Sequence, residues 1–172
     1  MLKKVSRLIT IIGLLIMTLY MSSKTYRVTG LISDYINNTD YNYHGYPYLE
    51  IPKINLNNVL FRADDNFSNL DNGLVYYKEL NPDNKIIIFG HSGMGRGVYF
   101  NNLDKLRVND VAMLRVNEKT YSYVATRTYL VDETNVGLLD DELSSTQMLL
   151  VTCDKNDNKK RLVVEFRLRC SF

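Results

Sequence analysis

At 172 residues, 45% of them hydrophobic and 23% charged, the chain has material for one membrane segment and one globular domain, and none for a second sizeable domain. Its formal charge of +2 originates in the first 24 residues, where Lys3, Lys4, Arg7 and Lys24 stand without an acid. The remainder carries 17 basic against 19 acidic residues, a charge of −2, which excludes the global basic footprint of a nucleic-acid binder. Two cysteines are too few for a disulfide scaffold.

Lys3, Lys4 and Arg7 precede an uncharged run from Leu8 to Met21. Arg7 and Lys24 can snorkel at its ends, and no Ala-x-Ala cleavage pattern follows it, so an uncleaved transmembrane anchor is preferred to a cleaved signal peptide. The basic tip then stays in the cytoplasm and the rest of the chain is exported. The expected organisation is a cytoplasmic tip and anchor over 1–24, a stalk over 25–45 and a globular domain over 46–172. Val28, Leu31, Ile32, Tyr35 and Ile36 have helical spacing within the stalk, before Asn37-Asn38-Thr39-Asp40 breaks it. Tyr41, Tyr43, Tyr46 and Tyr48 crowd around His44 and Gly45 and read as a packed aromatic patch.

From Tyr46 onward the signals are strands. Tyr48 to Ile51, Val59 to Phe61, Leu74 to Tyr76 and the continuous apolar run Lys85 to Phe89 are followed by Val111 to Val116 and, after the turn Asn117-Glu118-Lys119, by Thr120 to Thr126. Between them, Tyr99, Phe100, Leu103 and Leu106 suit one or two helical turns. Asp132 to Thr146 is polar and turn-rich, a loop with a short helix. About eight short strands with little helix predict a mainly β fold, a small barrel or sandwich.

The last two strands form a hairpin with a thiol at its mouth. Met148 to Cys153 and Arg161 to Phe166 flank a polar segment. Residues two apart share a face, so pairing Cys153 with Arg161 also sets Val151 against Val163 and Leu149 against Glu165. The other face then joins Thr152, Leu150 and Met148 to Leu162, Val164 and Phe166, which is the face a core selects. Cys170 lies nine residues beyond Arg161, roughly 30 Å away at ~3.3 Å per residue, which disfavours a Cys153–Cys170 disulfide. Cys153 is therefore expected as a free thiol.

A nucleophilic cysteine needs a proton acceptor, usually histidine. Of the two histidines, His44 lies in the stalk, whereas His91 follows the buried run and is bracketed by Gly90 and Gly93. Leu149-Leu150-Val151-Thr152-Cys153 with Arg161 a short loop later, the Gly90-His91 pair after an apolar strand, and Leu49-Glu50-Ile51-Pro52-Lys53-Ile54 together resemble a sortase, the cell-wall cysteine transpeptidases of Gram-positive bacteria. The resemblance covers roughly Tyr46 to Arg169. It implies a closed eight-stranded β-barrel with short helices, preceded by the transmembrane helix.

By resemblance Cys153 is the nucleophile, His91 the general acid, and Arg161 the group that binds substrate and stabilises the oxyanion. Substrate contacts are expected from Thr152 and, in the loop flanking the groove, from Asp132, Asn135 and Ser145. Leu149 departs from the TLxTC pattern and leaves the subclass open, while the lack of an apolar segment after Phe172 disfavours the pilus-polymerising class. The implied partners are a sorting-signal peptide of the Leu-Pro-x-Thr-Gly kind, a peptidoglycan precursor or other amine acceptor, and the membrane.

No acidic residue is evident as an orienter of His91. No cofactor or metal site is expected: Asp64, Asp65, Glu118, Asp132, Glu133, Asp140, Asp141 and Glu142 lack the ordered spacing of a calcium loop, although some relatives bind calcium there. An exported cysteine peptidase using water as acceptor, and an anchored non-catalytic β-barrel binding module, stay open as alternatives.

Overall fold

The computed structural model describes residues 11–21, 45–64, 67–93, 97–135, 137 and 146–171. The chain divides into two compact units, Met1–Asn37 and Asn38–Phe172. In the first, residues 11–21 are helical, with Ile16 and Leu19 among its exposed apolar side chains. Among the described residues no helix is long and apolar enough to cross a membrane. The start of the expected span, the amphipathic stretch from Val28 to Ile36, His44 and Ser145 all lie outside the described residues.

The second unit is a closed β-barrel of eight strands. They are β1 (Tyr48–Ile51), β2 (Leu56–Arg62), β3 (Leu74–Tyr76), β4 (Ile86–Phe89), β5 (Val111–Val116), β6 (Lys119–Asp132), β7 (Gln147–Cys153) and β8 (Lys160–Ser171). The order around the barrel is β1-β2-β3-β4-β7-β8-β6-β5, with parallel pairs at β2–β3 and β4–β7 and antiparallel pairs elsewhere. Three 3-10 helices, η1 (Pro52–Ile54), η2 (Ser68–Asp71) and η3 (Leu103–Lys105), punctuate the connections. Pro52 opens η1 where its missing N–H costs nothing, and Asn55 closes it in the left-handed region at φ 52°.

The spacing of Phe100, Leu103 and Leu106 reflects real burial, since all three enter the core, yet only η3 is helical there. A three-residue repeat fits a 3-10 turn as well as an α-helix. β6 and β8 run past their expected ends, to Asp132 and Ser171, as one long ribbon with register shifts at Ser122/Tyr123 and Ala125/Arg127.

Period-two patterning decides which side chains fill the barrel. In β5, Ala112, Leu114 and Val116 point inward and Val111 and Arg115 outward. Met148, Leu150, Val164 and Phe166 join the main core with Ile86 and Ile88 of β4. The alternate residues of the same strands form a second cluster, Ile87, Leu149, Val151 and Val163, against Tyr77, Phe89, Tyr129 and Val131. The β4–β7–β8–β6 wall is thus apolar on both faces, which is why β4 and β7 read as continuous apolar runs.

The outer cluster ends in a buried charge. Glu165 accepts from Arg127 Nε at 2.6 Å and from Thr126 Oγ1 at 3.3 Å, and the Arg127 guanidinium lies 4.8 Å above the Tyr129 ring. The carboxylate side chain is only 8% exposed, so this pairing is what makes an acid tolerable opposite Leu149.

Candidate active site at one end of the β7–β8 hairpin

The observed hairpin register is Cys153↔Arg161, Val151↔Val163 and Leu149↔Glu165, as the apolar pattern predicted. Asp154 N donates to Lys160 O at 3.0 Å and closes the mouth. The Asp154 Oδ2 accepts from Asn156 and Asp157 N–H at 3.1 and 3.0 Å, shaping the connection from within. Lys155 ties it to Asp104 at 2.9 Å.

The parallel β4–β7 register brings the histidine alongside. Phe89 pairs with Val151 as the last rung of that ladder, so His91 and Cys153 each follow it by two residues at the same end of neighbouring strands. Three bonds carry the ladder past the end of β4: Gly90 N donates to Val151 O at 3.2 Å, Thr152 Oγ1 to Gly90 O at 2.7 Å, and Ser92 Oγ to Cys153 O at 2.7 Å. The backbone at 90–92 and that at 151–153 are laced together. Cys153 and Arg161 share the outer face by alternation from Val151 and Val163, and His91 lies at the same rim, just past the end of β4.

Cys153 is a half-buried free thiol. The Arg161 guanidinium is held from two sides. Its Nη1 donates to Asn158 O at 2.8 Å and Lys160 O at 3.0 Å, and its Nη2 to Glu133 Oε2 at 3.0 Å. His91 Nε2 lies 3.0 Å from Asp71 Oδ1, so the sequence expectation of a histidine with no acidic neighbour is corrected. Asp71 and Glu133, both at the site, escape sequence reading because they sit in turns 20 and 28 residues from their partners.

Thr152 is placed differently from the expectation of a substrate contact. It is 4% exposed on the inner face, with its hydroxyl committed to Gly90 O, so it locks the strand that carries His91. Asp132 and Asn135 are exposed at the end of β6, and Asn135 Oδ1 accepts from Gly137 N at 3.1 Å. Asn135 also lines a cleft of about 200 Å³ with Leu149, Tyr129, Val131 and the Arg127–Glu165 pair. The described residues contain no cluster of three metal-ligating side chains.

Gly90 has a packing reason. A Cβ there would come within 2.6 Å of Leu74 Cδ2 and 2.7 Å of Phe100 Cδ2, both deep in the core. Gly90→Ala is expected to cost about 1–3 kcal/mol through overpacking, measured as a lower urea midpoint with an unchanged denaturant slope. A wild-type midpoint would show that the wall yields freely at this point.

A family model for the sortase domain matches residues 49–169. The chain belongs to the sortase family. Solved sortases share the fold: sortase A of Listeria monocytogenes is 24% identical with a TM-score of 0.64, covering 73% of this chain and 87% of that one. Sortase C-3 of Streptococcus pneumoniae is 26% identical with a TM-score of 0.66, covering 74% and 64%. A sortase D5 transpeptidase of Clostridium perfringens is 22% identical with a TM-score of 0.63, covering 73% and 79%. Types named A, C and D thus lie equally near, and the fold does not separate the subclasses. No curated protein gives a significant match. Members of the sortase family are cysteine transpeptidases.

Proposed function

We propose that this sortase cleaves a sorting signal of the Leu-Pro-x-Thr-Gly kind through a thioester on Cys153 and passes the acyl group to a cell-wall amine. We further read the N-terminal segment as a single-pass anchor that leaves the basic tip in the cytoplasm and the barrel outside. The observation that supports the catalytic reading is the register: Cys153 pairs with Arg161 in the β7–β8 ladder, and His91 follows by two residues the Phe89↔Val151 pair that ends the β4–β7 ladder. The charge arrangement of residues 1–24 supports the anchor.

The chemistry follows from the three side chains. The Cys153 thiolate attacks the scissile carbonyl, forming a C–S bond and a tetrahedral oxyanion. Arg161 has five N–H donors, and its bonds to Asn158, Lys160 and Glu133 engage three, so Nε–H and the second Nη2 proton can turn to the oxyanion. Collapse breaks the C–N bond while the His91 imidazolium gives its proton to the departing amine. The acceptor amine then attacks the thioester, His91 takes up a proton, and thiolate leaves.

Incubation with a panel of sorting peptides, read by intact-mass spectrometry, is expected to show an acyl adduct that an added amine discharges to a transpeptidation product. An adduct discharged only by water would replace transfer with peptidase action. No adduct across the panel would remove the catalytic reading.

A further inference from the structure

Asp71 is the C-terminal residue of η2, which leads straight into β3. β3 pairs antiparallel with β4 through Val75↔Phe89, and continuing that register brings Gly73 opposite His91. The turn just before β3 therefore overhangs the histidine, and Asp71 Oδ1 meets His91 Nε2 at 3.0 Å.

The turn is braced as though its position mattered. Ser68 N donates to Asp64 Oδ1 at 2.7 Å and Ser68 Oγ donates to Asp64 Oδ2, which fixes the start of η2. Asn69 Nδ2 donates to Arg62 O at 3.3 Å, and Gly73 N to Asn69 O at 3.2 Å. Gly97, at φ +69°, lies so close that a Cβ there would collide with the Asp71 carbonyl. Gly97 thus packs directly against the backbone of the residue that contacts His91.

We propose that Asp71 is a positioning residue for His91, fixing the ring so that Nδ1 is the nitrogen that exchanges protons in acyl transfer. The proposal rests on the acyl-transfer reading above. In the imidazolium both ring nitrogens carry protons, and a carboxylate only accepts. Asp71 takes the Nε2–H bond and the Nδ1 proton goes to the leaving amine. The neutral ring keeps its proton on Nε2, leaving the Nδ1 lone pair to receive one from the incoming amine. Asp71 is 87% exposed, so its charge is screened by water and its contribution is orientation. Cys153 on β7 and Arg161 on β8, at the same rim, already have roles in bond making, and among the described residues Asp71 on η2 is the acid in contact with the ring's Nε2.

The test compares single-turnover acylation of the full chain with Asp71→Asn and Asp71→Glu, using a sorting peptide that acylates the wild type. Asp71→Asn is expected to lower the acylation rate about tenfold to hundredfold, with KM within about twofold, and Asp71→Glu to recover most of the rate. Thermal midpoints should be unchanged, because the pair is exposed. Wild-type rate in Asp71→Asn would overturn the proposal while acyl transfer stands. Equal loss in both variants together with a lowered midpoint would also overturn it, assigning Asp71 to the fold. A wild-type enzyme that no peptide acylates would overturn the acyl-transfer reading and this proposal together.

Discussion

Cys153→Ala is expected to abolish the acyl-enzyme and to reduce transpeptidation at least ~10³-fold, to whatever rate the remaining groups support in water. The variant keeps every bond that builds the site, because the contacts at this position are made by its backbone: Cys153 O still accepts from Ser92 Oγ, and the hairpin register is unaffected. Stability should change little, since the side chain is half-buried and the substitution removes one sulfur. The chain's other cysteine, Cys170, offers the only competing thiol, and peptide mapping of the adduct separates the two. Full activity in Cys153→Ala, or an adduct mapped to Cys170, would remove Cys153 from the mechanism.

Arg161→Lys is expected to lower kcat about 10²- to 10³-fold, the range for losing a preorganised oxyanion donor. A planar fork lets one guanidinium bond Asn158 O, Lys160 O and Glu133 Oε2 and still present donors to a substrate. A lysine ammonium has three protons on one atom and cannot satisfy that frame and the oxyanion together. KM should move less than kcat, because the oxyanion exists only beyond the ground state. Glu133 is 44% exposed, so losing its partner leaves the fold almost as stable as before. Steady-state kinetics with thermal unfolding on the same samples checks both statements, and wild-type turnover would exclude Arg161 from the chemistry.

The hairpin was legible in the sequence because a one-residue slip would have turned Glu165, Arg161 and Cys153 into the barrel interior in place of Met148, Leu150, Val164 and Phe166. That contrast is large enough to read without coordinates. His91 was legible as a strand-end residue between glycines, although its closeness to Cys153 depends on a parallel pairing between strands about sixty residues apart. The long ends of β6 and β8 were not legible: Arg127, Thr128 and Leu130 are exposed and interrupt the apolar alternation, yet backbone pairing holds them in a strand. Nor were Asp71 and Glu133. Acids in turns look alike in sequence whether they face water or an imidazole ring, and only the closed barrel distinguishes them.

The parallel β4–β7 pair also governs when activity can exist. Parallel neighbours cannot be joined by a tight turn, and Gly90 and Thr152, 62 positions apart, meet only by closing that long loop. Contacts of such sequence separation form late and slowly, because the loop entropy is lost before the bonding is gained. A newly made chain therefore holds a thiol, an imidazole and a guanidinium without holding a reaction centre. Reactivity toward substrate is expected to rise with closure of the β4–β7 pair and not with formation of the local β7–β8 hairpin alone, which stopped-flow refolding with a substrate assay checks.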